Sequence, residues 1–202
     1  MIARLSRAAA ESGSSRLARA VTEVFSPPVL ITALFLAVGW HDAGSRGLAW
    51  GLAGAGFASI GPSAVIVVGV LRGRFTDHHL ALREQRAAPL TAAAVMVAAG
   101  IVVLAVTGAP PDLVAVEAVM LGGLVITVPV TLVWKVSLHT GVAASIAAVL
   151  TIVFGAVAIA GWAVVVLVGW SRVRLGAHTP AQVVAAAPVG AAIAVLIFAL
   201  VR

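Results

Sequence analysis

Long apolar stretches that contain few charges dominate this chain and restrict it to one class of fold. Across its 202 residues, 62% are hydrophobic and only 10% are charged. A soluble domain usually carries about 25% charged residues and could not cover so many apolar side chains. Apolar runs of about 18 or more residues are typical of helices that cross a bilayer. The sequence therefore predicts an all-α, polytopic membrane protein whose main partner is the lipid bilayer.

Seven apolar stretches can be marked, and they predict a helical bundle of about six to seven spans. They cover residues 26–40, 47–71, 88–107, 112–134, 140–154, 158–170 and 180–200. The fifth and sixth stretches are short, and Gly155 is the predicted point of separation between them. A single long helix there would reverse the side of the membrane that the rest of the chain reaches.

Two regions are predicted along the chain, an N-terminal tail over residues 1–23 and one transmembrane domain over residues 24–202. The tail contains Arg4, Arg7, Arg16 and Arg19 but no apolar core of a signal peptide. We expect it to lie as a basic amphipathic segment on the membrane surface. Because the chain has no cysteine, no disulfide or thiolate metal site is expected.

Positive charge is distributed unequally between the two predicted ends of the bundle. If all seven stretches cross, the tail and the connectors 72–87, 135–139 and 171–178 share one face. Of 13 Lys and Arg residues, only Arg46 and Arg202 fall on the other face. Because basic connectors remain in the cytoplasm, the first face is predicted to be the cytoplasmic face of the cell membrane. Anionic lipid then explains the net charge of +6 without a nucleic-acid partner.

Four of the five histidines lie in the three connectors of that basic face, namely His78, His79, His139 and His178. The same connectors hold seven cations, which are Arg72, Arg74, Arg83, Arg86, Lys135, Arg172 and Arg174. Guanidinium and ammonium groups neutralise and orient phosphate, and a neutral imidazole can attack phosphorus or transfer a proton. This combination predicts a phosphate site at the membrane edge.

The third connector contains the most informative pattern. Thr179 is a good N-cap, Pro180 suits the first helical position, and Gln182 stands three residues after the cap, so a capping box is predicted. His178 then lies just outside a helix N-terminus, where free N–H groups favour an anion. Arg172 is six residues before His178, close enough for both side chains to surround one phosphate.

At these residues the chain resembles the type 2 phosphatidic acid phosphatase superfamily of membrane lipid phosphatases. The third signature of that superfamily is Ser-Arg, five residues, His, three residues, Asp. Ser171, Arg172 and His178 match at this spacing, and Gln182 stands at the Asp position. Dolichyl diphosphatases of the superfamily are similar here, which favours a polyprenyl phosphate or diphosphate as substrate, with glycerolipid phosphates open.

The other two signatures are matched in part, so the resemblance covers roughly residues 72–202. The second, Pro-Ser-Gly-His, corresponds to Val136–His139 and keeps Ser137 and His139. The first, Lys, six residues, Arg-Pro, has its nearest match from His79 to Arg86 and keeps only the arginine. Lys135 is a candidate for the missing cation.

The resemblance implies a metal-independent hydrolase that uses no cofactor and acts through a phosphohistidine. His178 is then the nucleophile, His139 the general acid and base, and Arg172 the third catalytic residue. The residues assigned to the substrate phosphate are Ser137, Lys135, Arg86, Ser171, Arg83 and His79. Gln182 is assigned to orient His178. Asp77 or Glu84 is a candidate for the carboxylate that Gln182 does not provide.

Two other functions stay open at this stage. The same fold could transfer phosphate from one lipid to another acceptor, or the chain could bind or transport a lipid phosphate without turnover. Asp77, His78 and His79 could be imagined as metal ligands, but adjacent residues of a helix point in different directions, so no metal site is predicted.

Glu117 is expected to reach the second face or to be paired there. The sequence does not predict an oligomeric state.

Overall fold

The computed structural model describes residues 13–80 and 82–202, and every regular element in that part of the chain is helical. Arg4 and Arg7 of the predicted tail lie outside the described residues. The helices are α1 (Gly13–Val24), α2 (Pro27–Ala55), α3 (Gly61–Leu71), α4 (Ala87–Val106), α5 (Pro111–Val133), α6 (Leu138–Phe154), α7 (Gly161–Arg174) and α8 (Pro180–Val201). A π-helical turn, Gly56–Ile60, joins α2 to α3, and 3₁₀ turns at Arg83–Gln85 and Gly155–Ala160 precede α4 and α7.

Within the described residues, five helical segments are long and apolar enough to cross a membrane. They are Pro27–Leu71, Arg83–Val106, Pro111–Val133, Leu138–Arg174 and Pro180–Val201. The prediction of an all-α, multi-pass bundle is confirmed at this level. The predicted count of six to seven separate spans is not confirmed, because two of these segments each contain two predicted stretches.

The first long segment folds back on itself at Ala43 and Gly44, whose backbone angles are not helical. Gly44 has a φ of +57°, in the region that favours glycine. A Cβ atom added to Gly47 would lie 1.6 Å from the carbonyl oxygen of Gly39, so the two backbones touch there. Gly51 meets the Phe35 carbonyl in the same way. In both contacts the two residues lie equally far along the chain from Ala43, one before it and one after it. The two arms of α2 therefore run antiparallel.

The chain reverses again at Gly155, the position predicted to separate the fifth and sixth stretches. Gly155 has a φ of +70°, and the 3₁₀ turn that begins there leads into α7. The indole Nε1 of Trp162 donates to the Thr151 hydroxyl at 3.3 Å. A Cβ atom on Gly169 would lie 3.9 Å from the Thr140 side chain. Because α6 and α7 lie antiparallel, the start of α6 and the end of α7 reach the same end of the bundle.

Helices α6 and α8 approach each other closely through small residues. A Cβ atom on Gly190 would lie 2.2 Å from the Gly141 carbonyl oxygen, and the Ser145 hydroxyl donates to the Gly190 carbonyl at 2.8 Å. Small residues at such crossings let helix backbones approach in lipid, where apolar burial gives little driving force. This contact fixes the distance between His139, at the start of α6, and His178, just before α8.

The ends of the helices at the other face also meet. Arg202 Nε lies 2.9 Å from the Asp112 carboxylate, and the rings of His41 and Phe154 are 4.8 Å apart.

The expectation that Glu117 reaches the second face or is paired there is wrong. Its side chain is fully buried among Gly54 and Gly100, and neither carboxylate oxygen has a hydrogen-bond partner among the described residues. Asp112, five residues earlier in the same helix, forms the ion pair at this face instead.

The described part of the predicted tail is helix α1, which packs on α7. The Thr22 and Ser171 hydroxyls lie 3.0 Å apart, and Arg174 Nη2 donates to the Ser14 hydroxyl at 2.8 Å. Ala18 and Thr22 are buried in this contact. The end of α1 therefore belongs to the basic face of the bundle and brings Glu23 beside the connectors.

Candidate active site

Arginine side chains of the first connector bond to backbone carbonyls within that connector, in the second connector and at the end of α5. Arg86 donates from Nε to the Leu80 carbonyl at 2.9 Å and from Nη1 to the Val136 carbonyl at 3.1 Å. Arg83 Nη1 donates to the Leu132 carbonyl at 2.7 Å. These bonds bring the two connectors side by side, so that the rings of His79 and His139 lie 5.2 Å apart.

The third connector turns tightly back over the end of α7. The Arg172 carbonyl accepts the N–H groups of Ala177 and His178 at 3.0 and 3.2 Å, and Gly176, just before Ala177, has a φ of +66°. The N–H of Gly176 also donates to the Val173 carbonyl at 3.0 Å, and this bond together with the bond from Ala177 to Arg172 is the pattern of a turn that ends a helix with a glycine. The loop therefore returns His178 to the helix end that holds Arg172, and both side chains are buried.

The capping box predicted from Thr179 and Gln182 is present at the start of α8. Oε1 of Gln182 accepts the Thr179 backbone N–H at 3.1 Å and lies 3.1 Å from Nδ1 of His178. An oxygen that accepts from a backbone N–H can bond to the imidazole only as an acceptor, so Nδ1 of His178 is the nitrogen that carries the proton. Nε2 of His178 then keeps its lone pair.

The surroundings of His178 favour its neutral form. Burial lowers its pKa to about 4, the positive charges of Arg86, Arg172 and Lys135 act in the same direction, and the hydrogen bond with Gln182 opposes them. The pKa of Lys135 is also lowered, by burial and then by Arg86 and Arg172. These effects show that the three cations lie near His178. A neutral imidazole with a free Nε2 can act as a nucleophile.

Two arginines are buried in this cluster. Arg86 and Arg172 are only 2% and 5% exposed. The ion pairs found among the described residues include neither guanidinium. Arg172 Nε and His139 Nε2 are buried with no hydrogen-bond partner in that part of the chain. Buried charges and donors are costly unless paired, so this cluster is suited to an anion.

The other predicted site residues differ in how they relate to this cluster. Ser137 is buried beside it and caps α6 through Thr140, with 3.4 Å between its hydroxyl and the Thr140 N–H. Ser171 is bonded to Thr22 and to the Val168 carbonyl, so its hydroxyl is directed away from the cluster. Arg83 is occupied by the Leu132 carbonyl and lies 3.6 Å from Glu84.

Asp77 lies in the first connector within electrostatic range of Arg86, Arg172 and Lys135. Its Oδ1 accepts the His79 backbone N–H at 2.8 Å. The carboxylate thus shapes the connector and adds negative charge near the cations. Gln182 is the residue whose side chain contacts the His178 ring.

Sequence reasoning missed Glu23, which the prediction placed in a surface tail. Its Oε1 lies 2.9 Å from His79 Nε2, and its Oε2 lies 3.7 Å from His78 Nε2. Burial raises the pKa of Glu23, but the hydrogen bonds and charges of His79 and His78 together outweigh burial, and the net change is a lower pKa. The contact joins residues 56 positions apart, and no local pattern in the sequence indicates it.

An apolar cavity of about 350 Å³ extends from the cluster into the bundle. Its polar end is formed by His79, Arg86, Ser137, His139 and His178. Its apolar walls come from α3, α4, α5 and α8 and include Ile66, Leu90, Ala93, Met120 and Ile193.

The depth of this cavity follows from the helix positions of its deepest lining residues. Met120 precedes the end of α5 at Val133 by 13 residues, and Ile193 follows the start of α8 at Pro180 by 13 residues. At 1.5 Å per residue both lie about 20 Å from the basic face. The cavity therefore reaches through about two-thirds of a hydrocarbon core that is about 30 Å thick.

No protein-family model, curated protein or solved structure gives a significant match to the chain. The chemistry of the site is therefore argued from the residues and contacts described above.

Proposed function

We propose that the chain is an integral membrane phosphatase that removes phosphate from a lipid, most favourably a polyprenyl phosphate or diphosphate. The observation that carries the proposal is the pair of buried arginines beside a neutral His178, at the polar end of an apolar cavity. The cations suit a phosphate, the imidazole suits attack on phosphorus, and the cavity suits a tail that stays at membrane depth.

In the first step, Nε2 of His178 attacks phosphorus from the side opposite the lipid oxygen. A P–N bond forms while the P–O bond to the lipid breaks, and the bond electrons leave with the lipid oxygen. His139 donates a proton to that oxygen through Nε2, the atom that is buried without a partner among the described residues. The bound phosphate supplies the negative charge that favours an imidazolium at His139.

In the second step, water attacks the phosphohistidine, and His139 takes up one of its protons. The P–N bond breaks, phosphate leaves, and both histidines return to their starting forms. Arg172 and Arg86 stabilise the charge on the phosphoryl oxygens throughout, with Lys135 near them. Gln182 keeps the nucleophile in the required tautomer by accepting from Nδ1.

The proposal includes the topology of the chain. The hairpins at Gly44 and Gly155 each have two helical arms. Counting these arms separately gives seven apolar helical segments, and we propose that all seven cross a cell membrane. The basic connectors then face the cytoplasm together with the site.

A cysteine at Ser45 should be labelled by an impermeant thiol reagent from the outside of intact cells. Labelling only after the membrane is opened would reverse this orientation.

Phosphate release from a panel of polyprenyl and glycerolipid phosphates tests the activity. We expect turnover that persists in EDTA, a phosphoenzyme that is stable to base and labile to acid, and loss of both phosphoenzyme and turnover in His178→Ala. His41→Ala, which removes a histidine from the opposite face, is the matched control. Turnover that persists in His178→Ala would contradict the assignment of the nucleophile. Lipid phosphate binding without turnover in the unaltered chain would instead favour a binding protein.

A further inference from the structure

We infer that Glu23, His78 and His79 form a binding site for a divalent transition-metal ion of the zinc class, at the mouth of the cavity. The three residues come from the last turn of α1 and from the first connector. Each offers one ligand atom, and the three atoms all lie within 4.8 Å of one another. This set is separate from the residues assigned to phosphoryl transfer, except that His79 is also one of the residues assigned to the substrate phosphate.

The distances suit a tetrahedral ion. With metal–ligand bonds of about 2.0 Å, neighbouring ligand atoms of a tetrahedral site lie about 3.3 Å apart. Glu23 Oε1 is 2.9 Å from His79 Nε2, and Glu23 Oε2 is 3.7 Å from His78 Nε2. These two distances involve different oxygens of Glu23, and the three ligand atoms, one from each residue, all lie within 4.8 Å of one another. The side chains must therefore approach one another by up to about 1.5 Å to surround an ion.

The conformation of the connector explains how two consecutive histidines can act together. On a helix their side chains would diverge, but the segment between Leu71 and Arg83 is not helical in its described residues. Leu80 adopts a φ of +50°, and the Arg86 guanidinium bonds to its carbonyl. In this turn the rings of His78 and His79 lie 4.0 Å apart, and both face the carboxylate of Glu23.

The ligand chemistry determines the class of ion. Two imidazole nitrogens and one carboxylate oxygen suit zinc and similar ions, whereas magnesium and calcium prefer oxygen ligands alone. Glu23 and His78 are about half exposed, so an ion can reach them from solvent. A site with three protein ligands keeps its fourth position open, and all three residues line the cavity. An ion bound there fastens α1 to the first connector.

Zinc binding by the full chain in detergent, after EDTA treatment and dialysis, tests this inference. A chromophoric chelator in competition should report one tightly bound equivalent of Zn²⁺. Glu23→Gln and His78→Ala should each weaken that binding by more than about 10-fold, because loss of even an outer-shell partner commonly costs 10- to 100-fold. His41→Ala is the control and should bind as the unaltered chain does.

Cobalt substitution gives a second measurement that does not depend on affinity. Co²⁺ in the unaltered chain should show the intense visible bands of tetrahedral coordination, and Glu23→Gln, an isosteric change at an exposed position, should lose them. The inference is overturned if no equivalent of Zn²⁺ binds, or if both ligand variants bind it as tightly as the unaltered chain. Neither measurement uses turnover, so the outcome is independent of the proposed phosphatase activity.

Discussion

Nδ1 of His178 lies 3.1 Å from Oε1 of Gln182, and the same oxygen accepts the backbone N–H of Thr179 at 3.1 Å. One amide oxygen thus caps helix α8 and selects the tautomer of the histidine beside it. A neutral amide is sufficient to orient the ring, but it stabilises a positively charged imidazole less than a carboxylate does.

Replacing Gln182 with leucine should remove both interactions. We expect kcat to fall about 10- to 100-fold, by analogy with the range seen when partners that orient metal-ligating histidines are removed. KM should change little, because the arginines that hold the phosphate are unaltered. Gln182→Glu is the matched control, since it keeps the acceptor and the capping box, and its kcat should be retained or increased. Equal losses in the two variants would argue against the orienting role.

The acidic limb of the pH profile should lie well below the ordinary histidine value of about 6.5. The nucleophile must be neutral, and burial together with Arg86, Arg172 and Lys135 lowers the pKa of His178 to about 4. As the pH falls, kcat/KM should therefore persist until that region is approached. Lys135→Gln removes one positive charge, so the pKa of His178 should rise and the limb should move to higher pH. A limb at or above pH 6.5 in the unaltered chain would contradict a lowered pKa at the nucleophile.

The helices and the capping box of α8 could be predicted because they depend on local sequence. Apolar runs, prolines in first turns and the spacing of Thr179 and Gln182 are all short-range features. The role of Glu23 could not be predicted, because its contact with His79 depends on how α1 packs against the bundle. The environment of Glu117 was mispredicted for a related reason. Its burial depends on Gly54 and Gly100, which lie on other helices.

Gly190→Ala should destabilise the bundle and disturb the site. The added Cβ atom would lie 2.2 Å from the Gly141 carbonyl oxygen, so α6 and α8 must move apart. Overpacking of this kind usually costs about 1–3 kcal/mol. Thermal or denaturant unfolding in detergent measures the loss. Gly123→Ala is the control, because a Cβ atom there meets nothing within 4 Å, and its stability should be unchanged or slightly raised.

The apolar cavity should determine which substrates are accepted. Gly123 lines the cavity on α5, and the space beyond its Cα atom is open, so Gly123→Phe places a ring where the tail would lie. Displacing only two methylene groups from an apolar site costs about 1.6 kcal/mol, which is more than about tenfold in affinity. We therefore expect kcat/KM for long-tailed lipid phosphates to fall at least about tenfold.

The same variant should hydrolyse a short, water-soluble phosphate monoester as the unaltered chain does, because that substrate needs only the polar end of the cavity. Gly123→Ala adds one methyl group and should leave both activities close to normal. The two substrates must be compared in one detergent, so that micelle partitioning is the same for every variant. If Gly123→Phe lowers both activities equally, the ring has disturbed the phosphate site, and the cavity does not select the tail. A loss confined to the long-tailed lipid places the tail along α5 and orients the substrate with its phosphate toward Arg86 and His178.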